Sequence, residues 1–196
     1  MENGFYAMMS RMKLIERWAL MRNSITENIS EHSLEVSILA HALAIISNTR
    51  LGGKLNAEKA ALIGIYHDAS EIITGDMPTP IKYYNKDIQG AFKAVEKEAT
   101  NRLLSMLPED IRISYEALFI PQEEESYLWK LVKAADKLSA LIKCIEERKA
   151  GNTEFLSAEK SISSILTSMN MEEVDIFMKE FLPSYDKTLD ELNGQP

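Results

Sequence analysis

Cysteine is almost absent from this sequence of 196 residues, in which Cys144 is the only one. A lone cysteine cannot form a disulfide within the chain and is too few for a cysteine metal site. Long apolar runs are absent as well, because Arg11, Lys13 and Arg17 interrupt the N-terminal segment before it reaches the length of a secretory signal. No stretch approaches the roughly 18 uninterrupted apolar residues of a membrane span. We therefore expect a cytoplasmic protein.

Flexible linkers, repeats and low-complexity tracts are also missing from the sequence. A chain of 196 residues is long enough for one domain with a real core and too short for two comfortable domains, so we expect a single domain. Basic residues are outnumbered by acidic ones, which gives a formal net charge of −8. This charge argues against a nucleic-acid polymer or an anionic membrane as the main partner. A small anionic substrate stays compatible with it if a few cations are focused in one pocket.

The fold class follows from the spacing of the apolar residues. No segment shows a convincing run of alternating strands, and apolar residues recur at helical spacing along most of the chain. The sequence therefore predicts an all-α protein. The predicted helices cover about residues 5–12, 28–47, 56–74, 88–103, 113–119, 128–145, 155–166, 171–182 and 185–192.

The second predicted helix begins at Asn28, which forms a capping-box pattern with Glu31. Its apolar residues cover most of its circumference, which predicts a buried helix. The third predicted helix contains Gly64, which costs about 1 kcal/mol relative to alanine in a helix and so indicates close packing against a neighbour.

A stretch from Tyr66 to Pro80, YHDASEIITGDMPTP, carries the most concentrated chemistry. On a continuous helix His67, Asp68 and Glu71 fall within about 100° of one another, on one face. Gly75 then ends the helix, and Asp76 follows in a turn that prolines stiffen. Histidine beside aspartate with acidic residues just after it suggests a metal-assisted hydrolase. The alternative is an ordinary capped helix end facing solvent.

Three further positions have two interpretations each. Asp136 lies at the edge of an apolar helix face, either as a metal ligand or in a salt bridge to Lys133 or Lys137. Arg17 and Trp18 are either a phosphate fork beside a flat wall for a sugar or base, or a surface arginine beside a half-buried tryptophan.

The histidines separate into two groups by helix geometry. His32 lies in the first turn of its predicted helix, where it can reach a cleft. His41 follows nine residues later, about half a turn away and about 13.5 Å along the axis. The two cannot serve one mononuclear site, and we interpret His41 as a satisfied core or rim histidine.

His32, His67-Asp68 and Asp136, each in its own helical context, resemble the H…HD…D pattern of the HD-domain metal-dependent phosphohydrolases. Within that superfamily the chain is similar to the bacterial 5′-deoxynucleotidases of the YfbR type over nearly its whole length. The stretches that carry this likeness are LIERWALMRNSITENISEHSLEV, YHDASEIITGDMPTPIKYYN and KAADKLSALIKCIEE. The resemblance implies a single HD-type helical bundle over residues 1–196, with the metal-site core at about 28–145. It also implies a homodimer and hydrolysis of deoxyribonucleoside 5′-monophosphates.

The resemblance assigns the metal ligands, which are His32, His67, Asp68 and Asp136. Two imidazoles and two carboxylates suit Co²⁺, Mn²⁺, Zn²⁺, Ni²⁺ or Cu²⁺, and we expect Co²⁺ to serve in vitro. Sites with two metals in this superfamily need further histidines. The chain has three histidines in total, so we expect one divalent ion.

The resemblance also assigns the residues around the metal. Arg17 would fork two phosphate oxygens, and Glu71 would orient or deprotonate the attacking water or protonate the leaving oxygen. Asp68 would contact substrate as well as metal, and Asp76 would bind the sugar hydroxyl. Trp18 would crowd the 2′ carbon and disfavour ribose. The rest of the nucleoside wall would come from Met77, Pro78 and Thr79.

Two other functions compete with this one. The first is an HD hydrolase of another phosphoester, such as a cyclic nucleotide or a nucleoside triphosphate, although a triphosphate should need more cations than Arg17. The second is a non-enzymatic helical interaction protein with a structural metal. A structural site would need none of Arg17, Glu71 and Asp76.

Overall fold

Helices make up the regular structure of the chain in a computed structural model that describes residues 3–82 and 84–194. Within those ranges there is no strand, only an isolated antiparallel bridge between Glu16 and Asn28, so the all-α prediction is confirmed. The α-helices are α1 Phe5–Met9, α2 Ile29–Arg50, α3 Ala57–Tyr66, α4 Glu71–Thr74, α5 Thr79–Lys82, α6 Lys86–Leu104, α7 Glu109–Phe119, α8 Ser126–Lys149, α9 Leu156–Ser168, α10 Glu172–Glu180 and α11 Leu189–Leu192. Short 3₁₀ helices occupy Met12–Leu14, Glu123–Glu125, Thr153–Phe155 and Leu182–Asp186.

The main core lies where α2, α3, α8 and α10 meet. Its fully buried members include Leu43 of α2, Ile63 of α3 and Leu138 of α8. The predicted capping box at the start of α2 is present, since the Asn28 side chain accepts from the backbone N–H of Glu31 at 3.1 Å and Glu31 accepts from that of Asn28 at 3.2 Å. This cap fixes the first turn of α2, where His32 lies.

Gly64 is the point of closest approach between α3 and α2. A Cβ at this position would lie 2.8 Å from the Cα of Ser37 and 2.9 Å from its backbone nitrogen. Backbone atoms cannot move aside as a flexible side chain could, so only glycine allows this approach. The close packing expected at Gly64 is confirmed, and it brings the C-terminal end of α3 next to α2.

The predicted third helix is wrong in one respect, because it is broken. α3 ends at Tyr66, and residues 67–70 form a turn before α4 begins at Glu71. In that turn Ala69 N–H donates to Tyr66 C=O at 3.0 Å and Glu71 N–H donates to Asp68 C=O at 2.9 Å, which are tighter i→i+3 bonds. Ala69, in the middle of this turn, is fully buried and belongs to a second core cluster with Phe5 and Leu103.

The expectation that α2 is buried all round is also wrong. One stripe along it is exposed, with Leu34 and Ile38 each 61% and Ile45 44% accessible. His41 lies in the same stripe and is exposed, so of the interpretation as a satisfied core or rim histidine the core alternative is wrong.

α2 is long and apolar enough to cross a membrane by length and composition alone. However, 56% of its most apolar window is buried inside the protein, and its first turn carries buried His32. These contacts are those of a central core helix.

Candidate metal and phosphate site

Four side chains from three helical regions converge at one point. His32 Nε2 lies 3.4 Å from an Asp68 carboxylate oxygen and 3.2 Å from an Asp136 oxygen, and His67 Nε2 lies 3.1 Å from Asp68. The donor atoms of His32, His67 and Asp68 all fall within 4.8 Å of one another. The structure therefore brings together the four residues that the sequence pattern separates by up to about a hundred positions.

The nitrogen atoms that face this point have the character of metal ligands. His32 Nε2 and His67 Nε2 are both buried, and neither has a hydrogen-bond partner among the described residues. The opposite nitrogen of each ring is engaged: His67 Nδ1 lies 2.8 Å from the Gly64 carbonyl and His32 Nδ1 lies 2.9 Å from Ser139 Oγ. A carbonyl only accepts, so His67 carries its proton on Nδ1 and offers a lone pair from Nε2. The set of two such nitrogens and two carboxylates fits a divalent cation.

Asp136 makes the predicted salt bridge, to Lys137, and also lies at the candidate metal site. One carboxylate oxygen faces His32, and the other accepts from Lys137 Nζ at 2.9 Å. Burial raises the pKa of Asp136, but contacts with His32 and Lys137 outweigh it and hold the pKa far below its usual range. Asp68 is likewise ionised, since His67 and His32 outweigh its burial and hold its pKa well below normal.

Glu71 differs from both aspartates. It is buried, and its Oε2 atom has no hydrogen-bond partner among the described residues. Burial, with the negative charges of Asp68 and Asp76 added, raises the pKa of Glu71 to about 9. The charges of Arg17 and Lys82 lower this pKa by less, so without a bound metal ion the carboxyl group holds its proton at neutral pH. A divalent cation would favour its ionised form.

Arg17 and Trp18 are held together by one residue that the sequence analysis missed. Glu27 Oε2 accepts from Arg17 Nη1 at 2.7 Å and from the Trp18 indole Nε1–H at 3.1 Å. Burial lowers the pKa of Arg17, but the negative charges of Glu27, Asp136, Asp68 and Asp76 raise it by more, so the guanidinium faces the acidic cluster. Trp18 has the left-handed φ of 60°, and its ring lies 5.3 Å from that of Phe155.

Asp76 joins this loop to the metal side of the site. Burial raises the pKa of Asp76, while the charge of Arg17 and the nearby backbone N–H of Trp18 lower it by less. Met77 and Pro78 follow in an extended turn after Gly75, whose φ of 72° lets α4 end. Thr79 starts α5, and its side chain lies outside the described groups.

The loop of residues 15–28, which carries Arg17 and Trp18, is held to α8 by the buried ion pair of Lys143 and Glu147, which the sequence analysis also missed. Lys143 Nζ donates to the Ile25 carbonyl and to Glu147 at 2.5 Å each. Glu147 in turn accepts from the backbone N–H of Ser24 at 2.8 Å. On α8, Asp136, Lys143 and Glu147 fall within about 40° of one another around the axis. One face of α8 therefore holds both the metal site and the loop of Arg17 and Trp18.

Further cations lie near the site. The sequence pattern did not single out Lys82, but its positive charge lowers the pKa of Glu71. Its Nζ donates to Glu96 at 2.8 Å. Lys130 and Lys133 line a cavity of about 440 Å³ that His67 and Asp136 border. The argument that a nucleoside triphosphate would need more cations than Arg17 therefore no longer excludes such a substrate.

Solved structures share this arrangement of helices. An HD-domain phosphohydrolase from Listeria innocua covers 92% of this chain and 87% of its own, with a TM-score of 0.79 and 23% identity. The cyanophage S-2L HD phosphohydrolase DatZ, bound to dA and one catalytic Zn²⁺, covers 93% and 96% with a TM-score of 0.64 and 19% identity. The fold is that of the HD-domain phosphohydrolases.

Sequence relatives narrow the class. The profile of the family described as 5′-deoxynucleotidase YfbR-like matches residues 4–185, and the chain belongs to this family. A 5′-deoxynucleotidase of Erwinia tasmaniensis is 49% identical over 97% of this chain and 96% of its own length. The 5′-deoxynucleotidase YfbR of Shigella boydii is 48% identical over 98% and 96%. Family membership confirms the resemblance on which the sequence analysis relied.

Proposed function

We propose that the chain hydrolyses deoxyribonucleoside 5′-monophosphates to deoxynucleosides and inorganic phosphate, using one divalent metal ion. The observation that carries this proposal is the convergence of His32, His67, Asp68 and Asp136 beside Arg17. Membership of the 5′-deoxynucleotidase family supports the reaction.

The surroundings of Arg17 and Glu71 indicate a different role for each residue in the reaction. A bound divalent ion supplies charge for a phosphate oxygen and a means to acidify water. Arg17, whose guanidinium faces the acidic cluster, binds the remaining phosphate oxygens. Glu71 lies at the site with a free carboxyl oxygen, so it orients the attacking water or moves its proton.

Sugar recognition belongs to the wall that Trp18, Asp76, Met77, Pro78 and Thr79 form. The Trp18 backbone N–H lies near enough to Asp76 to lower its pKa, which supports this because the two chain segments that would enclose the sugar are close together. Asp76 accepts from the sugar hydroxyl, Asp68 reaches substrate as well as metal, and the Trp18 ring excludes a 2′ substituent.

Phosphate release across nucleotides and metals tests the proposal. With Co²⁺, we expect release from deoxyribonucleoside 5′-monophosphates, with lower activity on ribonucleotides, and Mn²⁺, Zn²⁺, Ni²⁺ and Cu²⁺ are compared under the same conditions. Release of pyrophosphate or triphosphate from a nucleoside triphosphate, or hydrolysis of a cyclic nucleotide alone, would contradict it in favour of another phosphoester. The cavity beside Lys130 and Lys133 makes the triphosphate comparison necessary. A chain that binds metal and hydrolyses none of these would be an interaction protein.

The protein acts as a cytoplasmic homodimer in this proposal, without a nucleic-acid polymer or membrane as partner. The exposed apolar stripe of Leu34, Ile38 and Ile45 on α2 supports pairing with a second copy, because a run of such residues at helical spacing suits a self-complementary helix contact. The net charge of −8 supports the absence of a nucleic-acid partner.

A further inference from the structure

His32 Nδ1, the ring nitrogen that faces away from the candidate metal site, begins a chain of hydrogen bonds through Ser139 to Glu35. Ser139 of α8 is fully buried, and its Oγ lies 2.9 Å from His32 Nδ1 and 2.6 Å from Glu35 Oε2. Glu35 lies one turn after His32 on α2 and is partly buried. The three groups thus link the two helices that carry His32 and Asp136.

The direction of each hydrogen bond in this chain follows from counting protons. A serine hydroxyl has one proton, and an ionised carboxylate can only accept. Ser139 therefore donates to Glu35, and its oxygen is left to accept from His32 Nδ1–H. With the proton on Nδ1, the lone pair of His32 lies on Nε2, the atom that faces Asp68 and Asp136.

Without Glu35, nothing would determine which of Ser139 Oγ and His32 Nδ1 donates in the hydrogen bond between them. The Ser139 hydroxyl could then turn its proton toward Nδ1, which would favour the tautomer with hydrogen on Nε2, where the metal has to bind. His67 needs no such support, because a backbone carbonyl fixes its tautomer.

We propose that Ser139 and Glu35 are positioning residues of the divalent-metal site, which set the tautomer and the ring orientation of His32. This inference rests on the metal site of the proposed function but not on its substrate. Outer hydrogen-bond partners of metal-bound histidines typically account for about 10- to 100-fold in metal affinity.

The test is Co²⁺ binding to chelator-treated protein, followed by calorimetry and by the visible absorption of bound Co²⁺. Ser139→Ala should bind Co²⁺ about 10- to 100-fold more weakly than wild type, with an altered absorption spectrum. Ser33→Ala is the matched control, since it removes a buried hydroxyl of α2 that has no hydrogen-bond partner among the described residues. It should bind Co²⁺ with wild-type affinity.

Glu35 variants carry the test if Ser139→Ala does not fold. Glu35 is only partly buried, and Glu35→Ala removes the acceptor, so it should weaken Co²⁺ binding like Ser139→Ala. Glu35→Gln keeps an oxygen that can accept from Ser139, so its loss should be smaller. A purely structural role would change the thermal unfolding of metal-free protein without this order of metal affinities.

Wild-type affinity and spectrum in both Ser139→Ala and Glu35→Ala would overturn the inference. Such a result would leave the proposed function intact, because the wild type would still bind Co²⁺ and release phosphate. Failure of the wild type to bind Co²⁺ would instead overturn the metal site itself, whereas metal binding without hydrolysis of deoxynucleotides would overturn only the proposed substrate.

Discussion

At the scale of single residues, the site depends on giving similar groups different surroundings. Asp68 is partly buried and Glu71 is buried near the same point, yet the histidines hold the pKa of Asp68 well below normal, while burial and neighbouring charges raise the pKa of Glu71 to about 9. Asp68 is thus a permanent anion suited to ligation. Glu71 is a group whose proton can be exchanged.

This difference gives the first prediction. Glu71→Gln should still bind one Co²⁺ per chain, but its kcat should fall by about 10²- to 10⁴-fold, because an amide cannot take or give the proton. Metal analysis and steady-state kinetics on the same preparation measure both effects. Asp68→Ala is the contrast, and it should lose the metal. Loss of metal in Glu71→Gln would make Glu71 a ligand and contradict the assigned role.

Trp18 gives the second prediction. The indole cannot accept a hydrogen bond, and leaving a 2′-hydroxyl buried and unpaired against it costs about 1–3 kcal/mol, or roughly 5- to 150-fold in relative efficiency. Trp18→Ala should narrow the ratio of kcat/KM between a deoxyribonucleotide and the matching ribonucleotide. Both substrates are expected to react more slowly, since the ring also positions the sugar. An unchanged ratio would place the selection in the Asp76–Thr79 turn.

Residue chemistry made some of these groups visible in the sequence and hid others. His67, Asp68 and Glu71 cluster along the chain, so their types and spacing were enough to select them. Glu27 is ten positions from Arg17, and Ser139 is 107 positions from His32, so only the folded contacts reveal them. A serine, a lysine and a glutamate among the apolar residues of α8 were the available signal, because buried polar groups need partners.

At the scale of elements, the site depends on how closely α3 approaches α2. Gly64→Ala would place a methyl 2.8 Å from the Ser37 backbone, so the helices must separate. We expect unfolding free energy to drop by about 1–3 kcal/mol and Co²⁺ affinity to fall with it, because His67 follows α3 directly. Gly90→Ala in α6 is the control. It has open space at its Cβ and should be neutral or stabilising by up to about 1 kcal/mol.

If Gly64→Ala matches Gly90→Ala in denaturant unfolding, the close contact of α3 with α2 contributes nothing to the free energy of unfolding.

The break between α3 and α4 is also a feature at the scale of elements. Helical periodicity continues through residues 67–71, so the sequence pattern could not show the break, which only the i→i+3 hydrogen bonds of residues 67–70 reveal.

The ion pair of Lys143 and Glu147, which holds the loop of residues 15–28 to α8, gives a prediction about the pH dependence of stability. Burial raises the pKa of Glu147, but hydrogen bonds from Lys143, Asn152 and Ser24 outweigh it and hold the pKa at about 2, against 4.5 ordinarily. A lowered folded-state pKa stabilises the protein above pH 4.5, and this contribution disappears as the pH falls toward 2. The difference between the unfolded-state pKa of 4.5 and the folded-state pKa of about 2 corresponds to about 3 kcal/mol of folding free energy at neutral pH.

Denaturant unfolding of wild type and Glu147→Gln at pH 7 and pH 3 checks this linkage. The wild type should be more stable at pH 7, and its advantage should shrink at pH 3. Glu147→Gln should also raise KM more than it lowers kcat, because the loop that carries Arg17 loosens. An advantage that does not change with pH would mean that Glu147 does not titrate with folding.

At the scale of the whole molecule, the exposed stripe of α2 is the surface that the sequence pattern misjudged. Apolar residues on every side of a helix indicate burial, but they do not tell whether the cover is the same chain or a second copy. Ile38→Glu should yield monomers in size-exclusion chromatography with light scattering, because two like charges would meet across a symmetric contact. Ile113→Glu, at an exposed isoleucine of α7, should leave the mass unchanged. A dimeric Ile38→Glu would place the contact elsewhere.

Since one face of α8 holds Asp136, Lys143 and Glu147, the spacing of these residues is fixed as well as their types. Each residue added to a helix turns everything after it by about 100° and advances it by about 1.5 Å. A single insertion between Asp136 and Lys143 would therefore point the loop anchor away from the loop while leaving the metal ligand in place. Substitutions can be absorbed in this segment, but a change in its length cannot, so α8 should align without gaps from Asp136 to Glu147 among proteins that share this site.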